Sequence, residues 1–251
     1  MKKLSSLQQR ILTAIGLLGL VGIIGYIDNF FTMWLFLGVI YMFAFHEAMK
    51  LFDLKSTSAY SWAILLWGIA YIYPNPDDLF YLIAIIYGAS LAYLHNFEKK
   101  LLLPFLYPAA GMFFFLLIYK DFGILFMLWL LATVALTDTG AFFVGKAIGD
   151  TKFSDTSPNK TIEGVVGGVI IATIFGTMII SNILPLWIAV LITFLTSVAS
   201  IFGDLFESYL KREAGVKDSG DLLPGHGGIL DRIDGYLFAA PIMLITLRAF
   251  I

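Results

Sequence analysis

The chain contains no cysteine, which excludes disulfides, thiolate chemistry and cysteine-based zinc sites. Charge is scarce too. Asp, Glu, Lys and Arg make up 14% of the 251 residues, where soluble domains carry about 25%. The net charge of −2 lies too close to zero to suggest a nucleic-acid partner. No internal repeat, linker or low-complexity stretch is evident. What the chain has instead is apolar mass: 59% hydrophobic residues, with 23 Phe. So few polar groups cannot cover so much apolar surface, and lipid must do part of that work.

Lys2, Lys3 and Arg10 form a basic start to an uncharged run, 11–27. That run is longer than a signal-peptide core, and no A-x-A site follows it. It reads as a retained first span. A spanning helix needs roughly 20 mostly apolar residues. Candidate spans fall at 11–27, 30–46, 60–74, 79–95, 101–118, 122–143, 162–181, 184–206 and 234–250. The expected fold is therefore all-α and polytopic, with about nine transmembrane helices. The sixth span contains Asp138 and runs into Gly140, Gly145 and Gly149, so it reads as the least regular, and an interruption at that depth is allowed only where protein covers the backbone or it lines a cavity.

Placing the loops on alternate sides puts all but two of the 16 Lys and Arg on one side; only Lys120 and Arg248 fall on the other. The positive-inside rule then puts the N-terminus in the cytoplasm and the C-terminus outside. The outer loops are tiny and the last two inner loops are long, so a soluble substrate is expected to be handled from the cytoplasm, at a cell inner (plasma) membrane. A scaffold over 1–120 and a functional region over 121–251 are expected within one membrane domain. His46, Glu47 and Asp53 are read as solvated loop residues.

Charge concentrates between Asp204 and Asp234, with both signs mixed. Asp204, Ser208 and Lys211 are spaced to share one helix face, as are Asp231 and Asp234. An acid at the end of an apolar span is costly and suggests a function. Hard oxygen donors suit Mg²⁺, which takes one or two carboxylates plus substrate phosphates. Lys211, Arg212, Lys217 and Arg232 are candidates to hold those phosphates. In Leu223-Pro224-Gly225-His226-Gly227-Gly228, glycines around one His let backbone N–H groups approach an anion. Taken singly, each has an ordinary reading: Asp204 and Lys211 as an ion pair, direct or through Glu207, Asp231 and Asp234 as caps of the last helix.

A second cluster is Ser157-Pro158-Asn159-Lys160-Thr161-Ile162-Glu163-Gly164. Lys160 and Thr161 are placed to reach a phosphate, and Glu163 to orient Lys160 or simply to begin a helix. Asp138, flanked by Thr137 and Thr139, is a further candidate, with a helix-packing hydrogen bond as its alternative. Gly140 to Lys146 nearly spells a P-loop, but Ala147 replaces the Ser or Thr and the preceding run is helical, so it is rejected.

Ser208-Tyr-Leu-Lys211-Arg212, Lys217-Asp218-Ser-Gly220, the Leu223 to Gly228 run and Asp231-Arg232-Ile-Asp234 together resemble the signature of the phosphatidate cytidylyltransferases, in order and spacing. The upstream blocks around Asp138 and Lys160 are similar to that family as well, whereas residues 1–120 match it only in hydropathy. The resemblance implies transfer from CTP to phosphatidate, giving CDP-diacylglycerol and pyrophosphate. It implies a homodimer in the lipid bilayer, Mg²⁺, and a second cation such as K⁺. Carried over, the metal ligands are Asp204, Asp231 and Asp234, and the catalytic set is Lys211, Asp231, Asp204 and Ser208. The CTP and phosphate contacts are Lys160, Arg212, Lys217, His226, Gly227, Gly228, Arg232, Asp138 and Glu163.

The lipid phosphate is already ionised near neutral pH, so His226 suits a phosphate or loop contact better than a general base. Two alternatives stand beside this reading. One is a CTP-dependent transferase or kinase acting on another lipid. The other is a secondary transporter, against which the lack of repeated halves and the crowding of charge at one face both argue.

Overall fold

The computed structural model describes residues 6–94, 98–223 and 227–251. Among these it has nine α-helices and no strand: α1 (Ser6–Ile27), α2 (Phe30–Leu51), α3 (Thr57–Ile72), α4 (Leu79–Tyr93), α5 (Ala110–Phe122), α6 (Ile124–Ile148), α7 (Ile162–Ile180), α8 (Leu186–Glu213) and α9 (Leu230–Phe250). Six helical stretches are long and apolar enough to cross a membrane: α2, Lys99–Phe122 (which includes α5), α6, α7, α8 and α9. Length and apolarity together fit a multi-pass membrane protein.

Side-chain caps define several helix starts. Asn29 accepts from Phe31 N at 3.0 Å, Ser56 caps α3, and Thr161 accepts from Gly164 N at 3.2 Å. Each cap satisfies a backbone donor that the first turn leaves orphaned.

One expectation changes. The sixth span is not interrupted: α6 runs unbroken through Gly140 and Gly145 to Ile148. The irregular backbone lies ahead of α5, where Tyr107 leaves helical geometry beside Pro108. Proline has no N–H to continue a helix, whereas glycine within one only weakens it. Helix α8 extends to Glu213, so Glu207, Ser208, Lys211 and Arg212 are helical.

The chain divides into two compact units. The first comprises 1–116 with 216–232. Its centre is aromatic. Tyr41 stacks on Trp67 at 5.1 Å, Trp67 meets Phe113 edge-on at 5.3 Å, and Phe45 meets Phe105 at 5.1 Å. Such pairs add about 0.5–1.5 kcal/mol each beyond area burial. The Trp34 and Trp67 indoles each donate to the other's backbone carbonyl, at 2.9 and 3.2 Å, which ties α2 to α3.

The second unit comprises 117–215 with 233–251. Here α6, α7 and α8 pack together through small and hydroxyl residues, the usual means of close approach between apolar helices. Thr137 Oγ1 donates to the Thr133 carbonyl at 2.8 Å. That leaves Ser197 Oγ to donate to Thr137 Oγ1 at 2.7 Å, linking α6 to α8. At Gly168 a side chain would strike the Thr137 carbonyl and Ala141.

Gly168→Val is therefore expected to cost about 1–3 kcal/mol of stability. Gly88→Val, which faces open space, should leave stability within about 0.5 kcal/mol of wild type or slightly raise it, since valine is the better helix former of the two. Melting curves of the detergent-solubilised proteins check this, and equal losses at the two sites would refute the close-approach argument.

Candidate active site

The linker from α6 to α7 folds back on itself before α7 begins. Phe153 N donates to Lys160 O at 2.9 Å, Ile162 N to Thr151 O at 2.9 Å, and Lys160 N to Ser157 O at 3.0 Å. Glu163, in the first turn of α7, accepts from Asp150 N and Thr151 N, each at 3.2 Å. Glu163 thus fastens the start of the linker rather than orienting Lys160, because two backbone donors lie within reach of its carboxylate.

This folded linker forms one wall of a cavity of about 440 Å³. Ser157, Asn159, Lys160 and Thr161 come from the linker, Asp138 and Lys146 from α6, and Asp204 from α8. Two cations and two carboxylates therefore line one hollow in an otherwise apolar bundle, an arrangement that stability alone does not call for. Lys160 Nζ lies 2.6 Å from Asp204 Oδ2, and Ser208 Oγ donates to Asp204 Oδ1 at 3.4 Å.

Below Asp204 on α8, Glu207 is fully buried and pairs with Lys211 at 2.7 Å. Of the two pairings open from sequence, Lys211 therefore takes Glu207. The Asp234 carboxyl faces both Glu207 and Asp204. Three acids, Asp204, Glu207 and Asp234, thus stand near one another. Arg212 is exposed.

In the first unit, Leu223 and Gly227 meet in an antiparallel bridge. Leu223 N donates to Gly227 O at 2.9 Å, and Gly227 adopts φ +79, a left-handed conformation that favours glycine. Asp231 Oδ2 accepts from Ser219 N at 2.9 Å, Gly228 N at 2.8 Å and Ser219 Oγ at 3.0 Å. Asp231, in the first turn of α9, thus takes its donors from the residues ahead of that helix and not from the helix's own first N–H groups. Lys217 and Arg232 are exposed. His226 lies outside the described residues.

One acid was misread from sequence. Glu47 belongs to α2, not to a loop, and is 4% exposed. It accepts from Ser219 Oγ at 2.9 Å, Ile229 N at 2.9 Å and Leu230 N at 2.8 Å. Its signal was present, since a carboxylate within an apolar helix is costly and so seldom idle. Lys146 was passed over together with the false P-loop.

A sequence model of the cytidylyltransferase family matches residues 8–250. The chain is similar to the phosphatidate cytidylyltransferase of Helicobacter pylori strain J99, 43% identical over 236 residues, 93% of this chain and 89% of that protein. It is similar to the phosphatidate cytidylyltransferase of Thermotoga maritima, 45% identical over 144 residues, 54% of this chain and 53% of that protein. A match from the first helix to the last, over a cavity that pairs lysines with carboxylates, makes this chain a member of the cytidylyltransferase family.

Proposed function

We propose that the chain is a membrane-embedded phosphatidate cytidylyltransferase, which converts CTP and phosphatidate to CDP-diacylglycerol and pyrophosphate. The observation that carries this reading is the cavity in which Lys146 and Lys160 stand with Asp138 and Asp204. A phosphate oxygen of phosphatidate attacks the α-phosphorus of CTP. The new P–O–P bond forms as the bond to the β-phosphate oxygen breaks, and pyrophosphate leaves with that electron pair.

Both reactants are anions, so the first task of the protein is to bring like charges together. Lys146 and Lys160 face the cavity and neutralise phosphate oxygens there; Arg212, Lys217 and Arg232 add positive charge for the approaching nucleotide. The nucleophile is a phosphate ionised near neutral pH, so no residue need abstract a proton. Orientation of the two phosphates in a site of fixed charge supplies most of the rate.

The donor chemistry fits a divalent cation. Asp204 and Asp234 supply hard carboxylate oxygens, and Asp231 is the third candidate ligand. Lys160, at 2.6 Å from Asp204, shows that this carboxylate already accepts a cationic partner. Among the described residues, no three Asp, Glu or His side chains form a ready metal cage. Mg²⁺ is commonly held by one or two carboxylates and completed by substrate phosphates. When bound, Mg²⁺ supplies further charge neutralisation at the α-phosphate and the leaving pyrophosphate. A second cation such as K⁺ is part of the same proposal.

The topology proposed is nine spans with the N-terminus and the active site at the cytoplasmic face, in a homodimer. The orientation rests on the asymmetry of Lys and Arg among the loops, and the homodimer on the resemblance to the family.

Purified protein incubated with CTP, Mg²⁺ and phosphatidate is expected to release CDP-diacylglycerol and pyrophosphate. No product with phosphatidate, but pyrophosphate release with another lipid phosphate, would correct the acceptor. Transfer to diacylglycerol, with release of CDP, would replace this reading with a CTP-dependent kinase.

A further inference from the structure

The placement of Glu47 has no counterpart in the reaction as derived above. It sits four residues before the end of α2 and is almost wholly buried. A buried carboxylate costs several kcal/mol unless its oxygens are hydrogen-bonded. Here three donors converge on two oxygens. Oε1 takes Ile229 N; Oε2 takes Leu230 N and Ser219 Oγ. The two backbone donors belong to the N-terminal end of α9, where N–H groups lack helical partners and the dipole favours negative charge. A side chain at Gly220 or Gly228 would collide with the Glu47 carboxyl, so the segment is shaped around this acid.

Ser219 connects Glu47 to Asp231. Its hydroxyl lies 2.9 Å from Glu47 Oε2 and 3.0 Å from Asp231 Oδ2. It has one proton and can donate to only one of them at a time. Glu47 therefore grips the segment at 219, 229 and 230, while Asp231 grips it at 219 and 228.

We propose that Glu47 is a positioning residue for the transfer reaction: through Ser219 and the first turn of α9 it sets the direction of the Asp231 carboxylate, without touching substrate. The inference rests on the reading that Asp231 serves the reaction.

Glu47→Gln tests it. Glutamine keeps the shape but offers one acceptor oxygen and an amide donor, so at least one of the three donors must then face an N–H₂. The expected result is a loss in kcat/KM of about 10–100-fold, the range for residues that orient a ligand. The Mg²⁺ concentration for half-maximal rate should rise several-fold. In the absence of CTP and Mg²⁺, amide exchange at 219 and 228–230 should quicken at least about tenfold, with the remaining helices unchanged. Glu47→Asp, which restores the charge on a shorter arm, should fall between wild type and Glu47→Gln.

Wild-type kinetics and exchange in Glu47→Gln would overturn the inference. Faster exchange with wild-type kinetics would reduce Glu47 to a structural tie and overturn it equally. If Glu47→Gln does not fold, Ser219→Ala, which keeps both backbone bonds, should still lower kcat/KM by about threefold or more, and no change there would overturn it. A wild type that makes no CDP-diacylglycerol would defeat the proposed function and this inference with it. An active wild type beside an unaffected Glu47→Gln defeats this inference alone.

Discussion

Asp204→Asn will remove nearly all turnover, by about 10³-fold, while the protein remains folded. Asp204 lines the cavity, holds Lys160 at 2.6 Å and lies beside Asp234. Asparagine keeps the size and one acceptor but carries no charge. Lys160 then loses the partner that holds its ammonium in place, and the site loses a hard ligand for a cation. Groups that stabilise developing charge in a dry site are worth about 10²–10³ in rate each, and this residue serves two such functions.

The cost in stability should be much smaller. The two side chains are 22% and 30% exposed, so the pair lies between a surface pair, worth about 0–1 kcal/mol, and a buried one. Asp121→Asn is the control. Asp121 pairs with Arg248 at 2.8 Å and does not line the cavity. Turnover there should stay within about twofold. Comparable losses at Asp121 and Asp204 would show that charge loss anywhere in the bundle is what inactivates, and the cavity would lose its standing as the site.

The second large effect separates two functions of one carboxylate. Asp231→Asn should reduce turnover at least about 100-fold, with amide exchange at 219 and 228 nearly unchanged. Asp231 Oδ2 collects Ser219 N and Gly228 N, and the asparagine carbonyl can still accept from both. Asp231→Ala removes the acceptor altogether. It should lose activity to a similar extent, and exchange at those two amides should also quicken. If Asp231→Asn turns over like wild type, Asp231 is a structural tie and nothing more. If both variants lose activity only in proportion to faster exchange, its part in the reaction is likewise structural.

How far the sequence was legible depends on the range of the interaction that places each residue. The helices follow from runs of apolar residues, which are local, and α6, α7 and α8 appear where those runs predict. The pairing of Glu207 with Lys211 follows from an i,i+4 spacing and was open to the same reading. The partner of Lys160 was not. Nothing in the spacing of 160 and 204 shows that a folded linker brings the two side chains together.

The unbroken course of α6 through its glycines was missed for a related reason. Those glycines lie where α7 comes close, and a helix's neighbours are not written in its own sequence. Glu47 is the plainest case. Its carboxylate resembles that of a loop acid until its donors, more than 170 residues away, are known.

That separation sets a clock during synthesis. Ser219 and Leu230 follow Glu47 in the chain by 172 and 183 residues. At roughly 5–20 residues per second the ribosome supplies them about 10–35 s after Glu47 itself. Throughout that interval α2 carries an acid without its final donors. Its place only four residues from the helix end lets the carboxylate reach toward the interfacial water and wait there. The last step of assembly is then the exchange of that water for Ser219 and the first turn of α9, so the nascent chain cannot complete this part of the fold until it has been made through Leu230.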